Sequence, residues 1–449
     1  MANGRKQAKR NDPGVVRRDH ARRRHRPSPR DAAVNGRLEA LVLPALAGLG
    51  GEYRKLGLRQ RVLTLPVLAA AVLTMIWQQV PSMAELVRLW AREPLLWLPE
   101  AIRVSEQGVN ERLRCLPATW FEHLVTAVLP ELAARSQQRQ QRPASPAVGR
   151  AQRHFGRLWG VDAATLEALV RTVGALRGLD APPLGGKLWG MLDLVSMLPA
   201  HLWTGNDPQQ NEKAGCPEVL ARTPKGTLLL FAMGCFAFPF FDDRTDAGGF
   251  FLTKLREKSA DTVVRTLGSG AGWRDTSIQL GVYRSNPCRH PLRLVEIRFQ
   301  NTWYRYLTNV LDPAMLPTAD VADLYRRADA RRAAVPIESA FLTVKRLLGL
   351  SYLWTGAENG VQRQLWATWL LSAVLADLCD DLADHLLVPA ERISQEMVFR
   401  GLSHYARART NGDLRSPVKY LTTPENADLD VLKRLRTPRP TPLTIAIGA

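Results

Sequence analysis

Pro336-Ile337-Glu338-Ser339-Ala340-Phe341-Leu342-Thr343-Val344-Lys345-Arg346-Leu347-Leu348-Gly349 is the stretch on which the fold turns. Proline at the first helical position and glycine past the last turn frame a helix, since the first turn has no use for proline's missing N–H and glycine reverses the chain without a Cβ clash. Ile337, Phe341, Val344 and Leu348 recur at i, i+4, i+7 and i+11, so one face of this helix is expected to be core. Glu338 and Lys345 lie two turns apart, roughly 10 Å along the axis, and project from the same side beside the apolar stripe. A carboxylate suited to a cation and an ammonium suited to a phosphate are thereby expected on one edge. An amphipathic helix with a solvated Glu and Lys is the plainer reading, and the rest of the chain decides between the two.

The chain has 449 residues, enough for two to four domains, and at 46% hydrophobic it is globular in composition. Its 61 basic and 42 acidic residues leave +19, which points to a polyanionic partner, nucleic acid first. The five cysteines, Cys115, Cys216, Cys235, Cys288 and Cys379, form no C-x-x-C pair and have no histidine at zinc-ligand spacing, so a reduced compartment without a structural metal is expected. The longest apolar run, Val62 to Trp77, contains Pro66, and the Arg-rich N-terminus lacks the apolar segment of a signal peptide. These features predict a soluble cytoplasmic protein with no membrane partner.

Residues 1–37 are expected to be a basic disordered arm: the first thirty hold eleven Lys or Arg against Asp12 and Asp19, a local +9 suited to neutralising phosphates. Residues 38–134 read as an all-helical N-terminal DNA-binding domain. Ser82-Met83-Ala84-Glu85 is a capping box, with Leu86, Leu89 and Trp90 inward. A helix over Ser105 to Arg114 buries Val109 and Leu113 and leaves Gln107, Asn110, Arg112 and Arg114 outward, where Arg112 and Arg114 suit DNA in a helix-turn-helix-like reader. A plain helical bundle fits the same pattern. The Gln/Arg/Pro-rich residues 135–153 read as a linker.

Strands are expected at Leu158 to Asp162, Lys187 to Val195, Pro199 to Trp203 and Thr227 to Phe231, with helices over Ala163 to Leu176 and Asn211 to Arg222. Three strands, a helix, a fourth strand and a later acidic-edged helix make an α/β fold with a ribonuclease-H-like core, here residues 154–247 and 312–410. That fold holds two divalent cations between carboxylates on its first strand, fourth strand and a following helix. Asp162 and Glu338 occupy the first and third places, and Ala232 stands in the second. Residues 248–311 read as a β-rich insertion carrying +6, with Trp303 or Trp273 available to stack on an unpaired base. Leu365 to Leu378 reads as an apolar helix, Asp377, Asp380, Asp381 and Asp384 as a solvated face, and 411–449 as a C-terminal tail. Gly268-Ser269-Gly270-Ala271-Gly272 opens no helix and no G-x-x-x-x-G-K-[ST] occurs, which excludes a nucleotide-triphosphate motor.

Gly160-Val161-Asp162 with Thr165-Leu166, the block Leu228 to Phe241, Arg305-Tyr306-Leu307-Thr308-Asn309-Val310-Leu311, Leu324-Tyr325-Arg326-Arg327, and Ile337 to Trp354 with Asn359-Gly360 resemble the DDE transposases of bacterial insertion sequences, in the group named after insertion element four. The resemblance covers nearly the whole chain. It implies cut-and-paste DNA transposition: binding of terminal inverted repeats and target DNA, a homodimeric synaptic complex, and Mg²⁺-dependent strand cleavage and transfer in a bacterial, nucleoid-associated protein. Asp162 and Glu338 would hold the two metals, Lys345 a phosphate near the scissile bond, and Tyr325 and Arg327 terminal phosphates. Two features depart from the family. Its members carry an acid where this chain has Ala232. Their signature runs Tyr-(2)-Arg-(3)-Glu-(6)-Lys, whereas Tyr325 lies thirteen residues before Glu338 and Ala334 takes the Arg position. A non-catalytic DNA-binding relic or repurposed copy is the first alternative, and an RNA-processing nuclease of the same fold the second.

Overall fold

The computed structural model describes residues 33–57, 61–165, 187–205, 211–282, 285–299, 301–328, 348 and 358–433. It is a mixed α/β structure around one nine-stranded sheet, ordered β3-β2-β1-β4-β5-β9-β8-β7-β6. The strands are β1 Arg157–Thr165, β2 Lys187–Asp193, β3 Pro199–Gly205, β4 Thr227–Phe231, β5 Phe250–Lys254, β6 Asp261–Gly270, β7 Trp273–Leu280, β8 Leu292–Phe299 and β9 Thr302–Thr308. β1, β4 and β5 run parallel, β2 is antiparallel to β1, and β3 is antiparallel to β2. Every residue of β4 is buried, as its unbroken Leu-Leu-Leu-Phe run requires of a central strand covered on both faces. β1 runs on through Ala163 to Thr165, three positions expected to open a helix; the remainder of that helix lies outside the described residues.

Alternation along the strands divides the core in two. Trp159, Val161, Leu229, Phe231 and Phe251 face a cluster with Phe236, Phe240 and Phe241, while Leu158, Leu228, Leu230 and Leu252 face the helices Pro146–Gln152 and Thr318–Ala328. Two ion pairs hold that second layer. Arg150 clasps the buried Asp320 at 2.6 Å and 2.7 Å, joining the two helices. The buried Arg293 of β8 bonds Asp275 of β7 at 2.8 Å and 2.5 Å and the Leu316 carbonyl at 2.8 Å, and Thr318 donates to Asp275 at 2.6 Å.

Residues 248–311 do not form a sheet of their own. β5 takes its place beside β4, and its outer edge pairs with β9, Leu252 opposite Thr308, so the hairpins extend one continuous sheet. An unpaired β5 edge would have left a row of backbone donors and acceptors without partners.

Over the β2–β3 end of the sheet, the helices Asn35–Lys55, Leu65–Trp77 and Ala118–Gln138 bury one core together with Glu358–His385, although the sequence predicts these for different units. Asn359 shows the tie. Its carboxamide accepts from Ala118 N at 2.6 Å and donates to the Leu116 carbonyl at 3.0 Å, satisfying the start of a helix whose own N-cap is Pro117.

Asp377 and Asp380 are 0% and 1% exposed rather than solvated: Arg139 reaches Asp377 at 2.7 Å and Asp380 at 2.8 Å, Arg142 reaches Asp380 at 3.0 Å, and Arg37 pairs with Asp377 and Asp381. The expected linker is correspondingly pinned, with the backbone N–H groups of Gln141 and Arg142 donating to Asp384, and it contains the helix Pro146–Gln152. Residues 417–421 and 424–426 of the expected tail are helical, with Val418, Leu421 and Val431 buried. No helix among the described residues is long and apolar enough to cross a membrane.

Candidate functional site

The last parallel pair between β1 and β4 is Val161 with Phe231, so Asp162 and Ala232 are the next residues on the two neighbouring strands. Side chains of β1 alternate, and because Leu158 faces the Thr318–Ala328 layer, Asp162 belongs to that face too. Asp162 is half-buried and its carboxylate accepts from the Ala163 N–H at 2.9 Å; Ala232, one step past β4, is exposed. Two of the three sequence-assigned positions therefore meet at one end of adjacent strands. Glu338 and Lys345, the other candidates for catalysis, lie outside the described residues.

A carboxylate that sequence reading missed lies over this end. Gly234 follows Ala232 by two residues, and a Cβ built on it would sit 1.6 Å from Glu212 Oε2, so only glycine admits the Glu212 carboxylate there. Glu212 opens the short turn Glu212–Gly215 and pairs with Lys187 Nζ at 3.7 Å, which offsets its charge. Nothing in the local pattern marks it, because packing brings it to Gly234 across twenty-two positions. The buried Cys235 thiol is pushed well above its ordinary range, first by its hydrogen bond with Cys216, then by burial, and then by the charges of Cys216, Glu212 and Asp162. Both carboxylates therefore bear on the same thiol. Among the described residues no group of three His, Cys, Asp or Glu side chains could hold a metal ion.

The expected DNA contacts fare differently. Tyr325 is 3% exposed, its ring 5.3 Å from that of Tyr306, and Lys254 Nζ stands 5.5 Å from it; it is a core residue and offers no surface to a terminal phosphate. Arg327 falls in the Thr318–Ala328 helix, but its side chain lies outside what is described. Ser105 caps the helix Glu106–Cys115, which carries Arg114 and Asn110 exposed and Arg112 half-buried. The helix before it, Met83–Trp90, is separated from it by residues 91–105, far longer than the 3–4-residue turn of a helix-turn-helix, so that expectation is corrected to a helix pair with a polar face. Trp303 is 40% exposed with the Arg274 guanidinium 5.2 Å over its ring, and it pairs across the strands with the exposed Arg298. Trp273 is instead partly buried against the core, so Trp303 is the more exposed of the two tryptophans.

No protein-family model and no curated protein matches this chain.

Proposed function

We propose that the chain is a DNA-binding protein of the DDE transposase type, with a ribonuclease-H-like core that positions terminal inverted repeats against target DNA in a homodimer on the bacterial nucleoid. The observation that carries this reading is the juxtaposition of Asp162 and Ala232 at one end of parallel β1 and β4, on the face covered by Thr318–Ala328. The order β3-β2-β1-β4-β5 with β2 alone reversed supports the core assignment, since that arrangement brings the first and fourth strands side by side. Arg114, Arg274, Arg298 and Trp303 support the partner: guanidiniums neutralise phosphates, and an exposed indole stacks on a base.

A divalent cation such as Mg²⁺ would supply charge stabilisation for strand cleavage. The described residues do not make its site. Asp162 brings one carboxylate, the methyl group of Ala232 brings no ligand, and Glu212 is engaged by Lys187. This favours a second reading, a protein that binds element ends without cutting them. Electrophoretic shifts with DNA bearing the flanking repeats test both readings: end-specific binding that survives excess non-specific duplex and excess RNA supports them, and equal affinity for all duplexes or a preference for RNA rejects them.

A further inference from the structure

A cavity of about 800 Å³ opens at the strand ends opposite Asp162, between the helix Ala118–Gln138, the 139–145 segment and the starts of β1 and β3. Its sheet wall is basic. Arg157 of β1 lies 5.1 Å over the Trp159 ring, His201 of β3 packs edge-on to the same ring at 5.4 Å, and Arg222 lies 5.3 Å over Trp203. No carboxylate among the described residues pairs with Arg157, while Arg222 shares an exposed 3.1 Å bond with Glu218. Two acids share the wall, Asp193 and Glu391. Asp193 is engaged by the Val195 and Ser196 N–H groups at 2.9 Å and 2.8 Å, and across from it Arg142 and Arg139 are committed to Asp380. The helix wall is apolar, from Val125, Leu129, Pro130 and Val148. Ser145, 5% exposed, also lines the cavity, and its hydroxyl has no hydrogen-bond partner.

We infer that this cavity binds a phosphate monoester of nucleotide size, its phosphate held by Arg157, Arg222 and His201 and its organic body against the Val125–Leu129 wall. Two guanidiniums, each lying over an indole, and an imidazole match a group carrying close to two negative charges, and the volume lies within the range of small-molecule sites. Burial, Arg222 and Arg157 together lower the affinity of His201 for a proton, so it stands neutral in the free protein. A phosphate arriving between those guanidiniums reverses that balance and draws a proton onto His201. The inference does not depend on the strand-transfer reading, because the cavity lies at the opposite strand ends from Asp162.

The test is titration calorimetry of the full chain with AMP, adenosine, inorganic phosphate and a short single strand carrying either a 5′-phosphate or a 5′-hydroxyl. AMP or the 5′-phosphorylated strand is expected to bind, and adenosine and the 5′-hydroxyl strand to bind at least about 10-fold more weakly, the loss of one charge-assisted contact. Binding by AMP alone identifies a free nucleotide as the source, and binding by the phosphorylated strand alone a strand end. Arg157→Ala with Arg222→Ala should weaken binding by about 10-fold or more, and His201→Gln should abolish the proton uptake seen on comparing buffers of different ionisation enthalpy. Arg222→Gln alone, on an exposed helix end, gives the same readout should the double variant unfold. Adenosine binding as tightly as AMP, no binding by either phosphorylated probe, or unchanged affinity in the arginine variants would overturn the inference.

Discussion

Two sets of aspartates in this chain invert what their sequence surroundings suggest. Asp377 and Asp380 sit in an acidic run at the end of an apolar helix, a pattern typical of a solvated face, yet both are buried and clasped by Arg37, Arg139 and Arg142. Asp162 sits in an apolar strand, a pattern typical of a core, yet its carboxylate is half-exposed at the strand end and is bonded by its own neighbour's N–H. The difference lies in what arrives from elsewhere in the chain. Three arginines more than two hundred residues away make one set a structural clamp between the helical layer and the 139–142 segment, whereas Ala232 arrives beside Asp162 and contributes nothing ionic. Acid runs therefore report function only once their partners are known.

The widest separation between the two sets should appear in stability. Asp380→Ala removes the buried carboxylate that Arg139 and Arg142 share, leaving the Arg139 guanidinium with Asp377 alone and that of Arg142 with no carboxylate among the described residues, and is expected to cost about 3 kcal/mol, read as a fall in the denaturant midpoint. Asp162→Asn should change stability by no more than about 1 kcal/mol in the same measurement, because it sits half-exposed at a strand end and keeps the acceptor that takes the Ala163 N–H. A loss of similar size in both variants would erase the contrast.

A smaller effect concerns pH. His201 has its proton affinity lowered by burial and by Arg222 and Arg157, so the unfolded chain binds a proton more readily than the folded one between the lowered value and about 6.5. Stability should fall as pH drops below about 6.5, and His201→Gln should flatten that slope in thermal melts from pH 7 to pH 5. The smallest effect belongs to the surface: Arg114→Ala should reduce the slope of log K against log salt for duplex binding by about 0.9, one phosphate contact. An unchanged slope would place Arg114 off the DNA.

Much of the sheet was legible from the sequence. β4 follows from the four consecutive apolar residues Leu228 to Phe231, and the β8–β9 hairpin from the alternation of Arg293, Val295 and Ile297 up to the turn at Asn301. The capped helices at Ser82 and Ser105 follow from side-chain oxygens at the right spacing, and both serines accept the expected N–H. What could not be read is long-range pairing. Nothing local says that β9 adds to the edge of β5, that Asn359 completes the helix start at Ala118, or that Arg139 and Arg142 cross to Asp377 and Asp380. The burial of Tyr325 is illegible for a related reason, because its amphipathic helix also fits an exposed Tyr-Arg pair, and only the docking of β9 brings Tyr306 against it. At the site, Asp162 and Ala232 were legible from strand order, whereas Glu212 was not, since it reaches Gly234 only through the packing of two short turns.

The most direct test compares divalent-metal-dependent nicking of repeat-bearing DNA by the protein as it stands, by Ala232→Asp, and by Asp162→Asn with Ala232→Asp. A carboxylate at 232 would stand next to that of Asp162 on the neighbouring strand, giving a cation the ligand the alanine withholds. Nicking near background in the unaltered protein, a gain in Ala232→Asp, and loss of that gain in the double variant are the results expected. Robust cleavage by the unaltered protein, or a gain that survives Asp162→Asn, would contradict the assignment of these two strand ends as the catalytic centre.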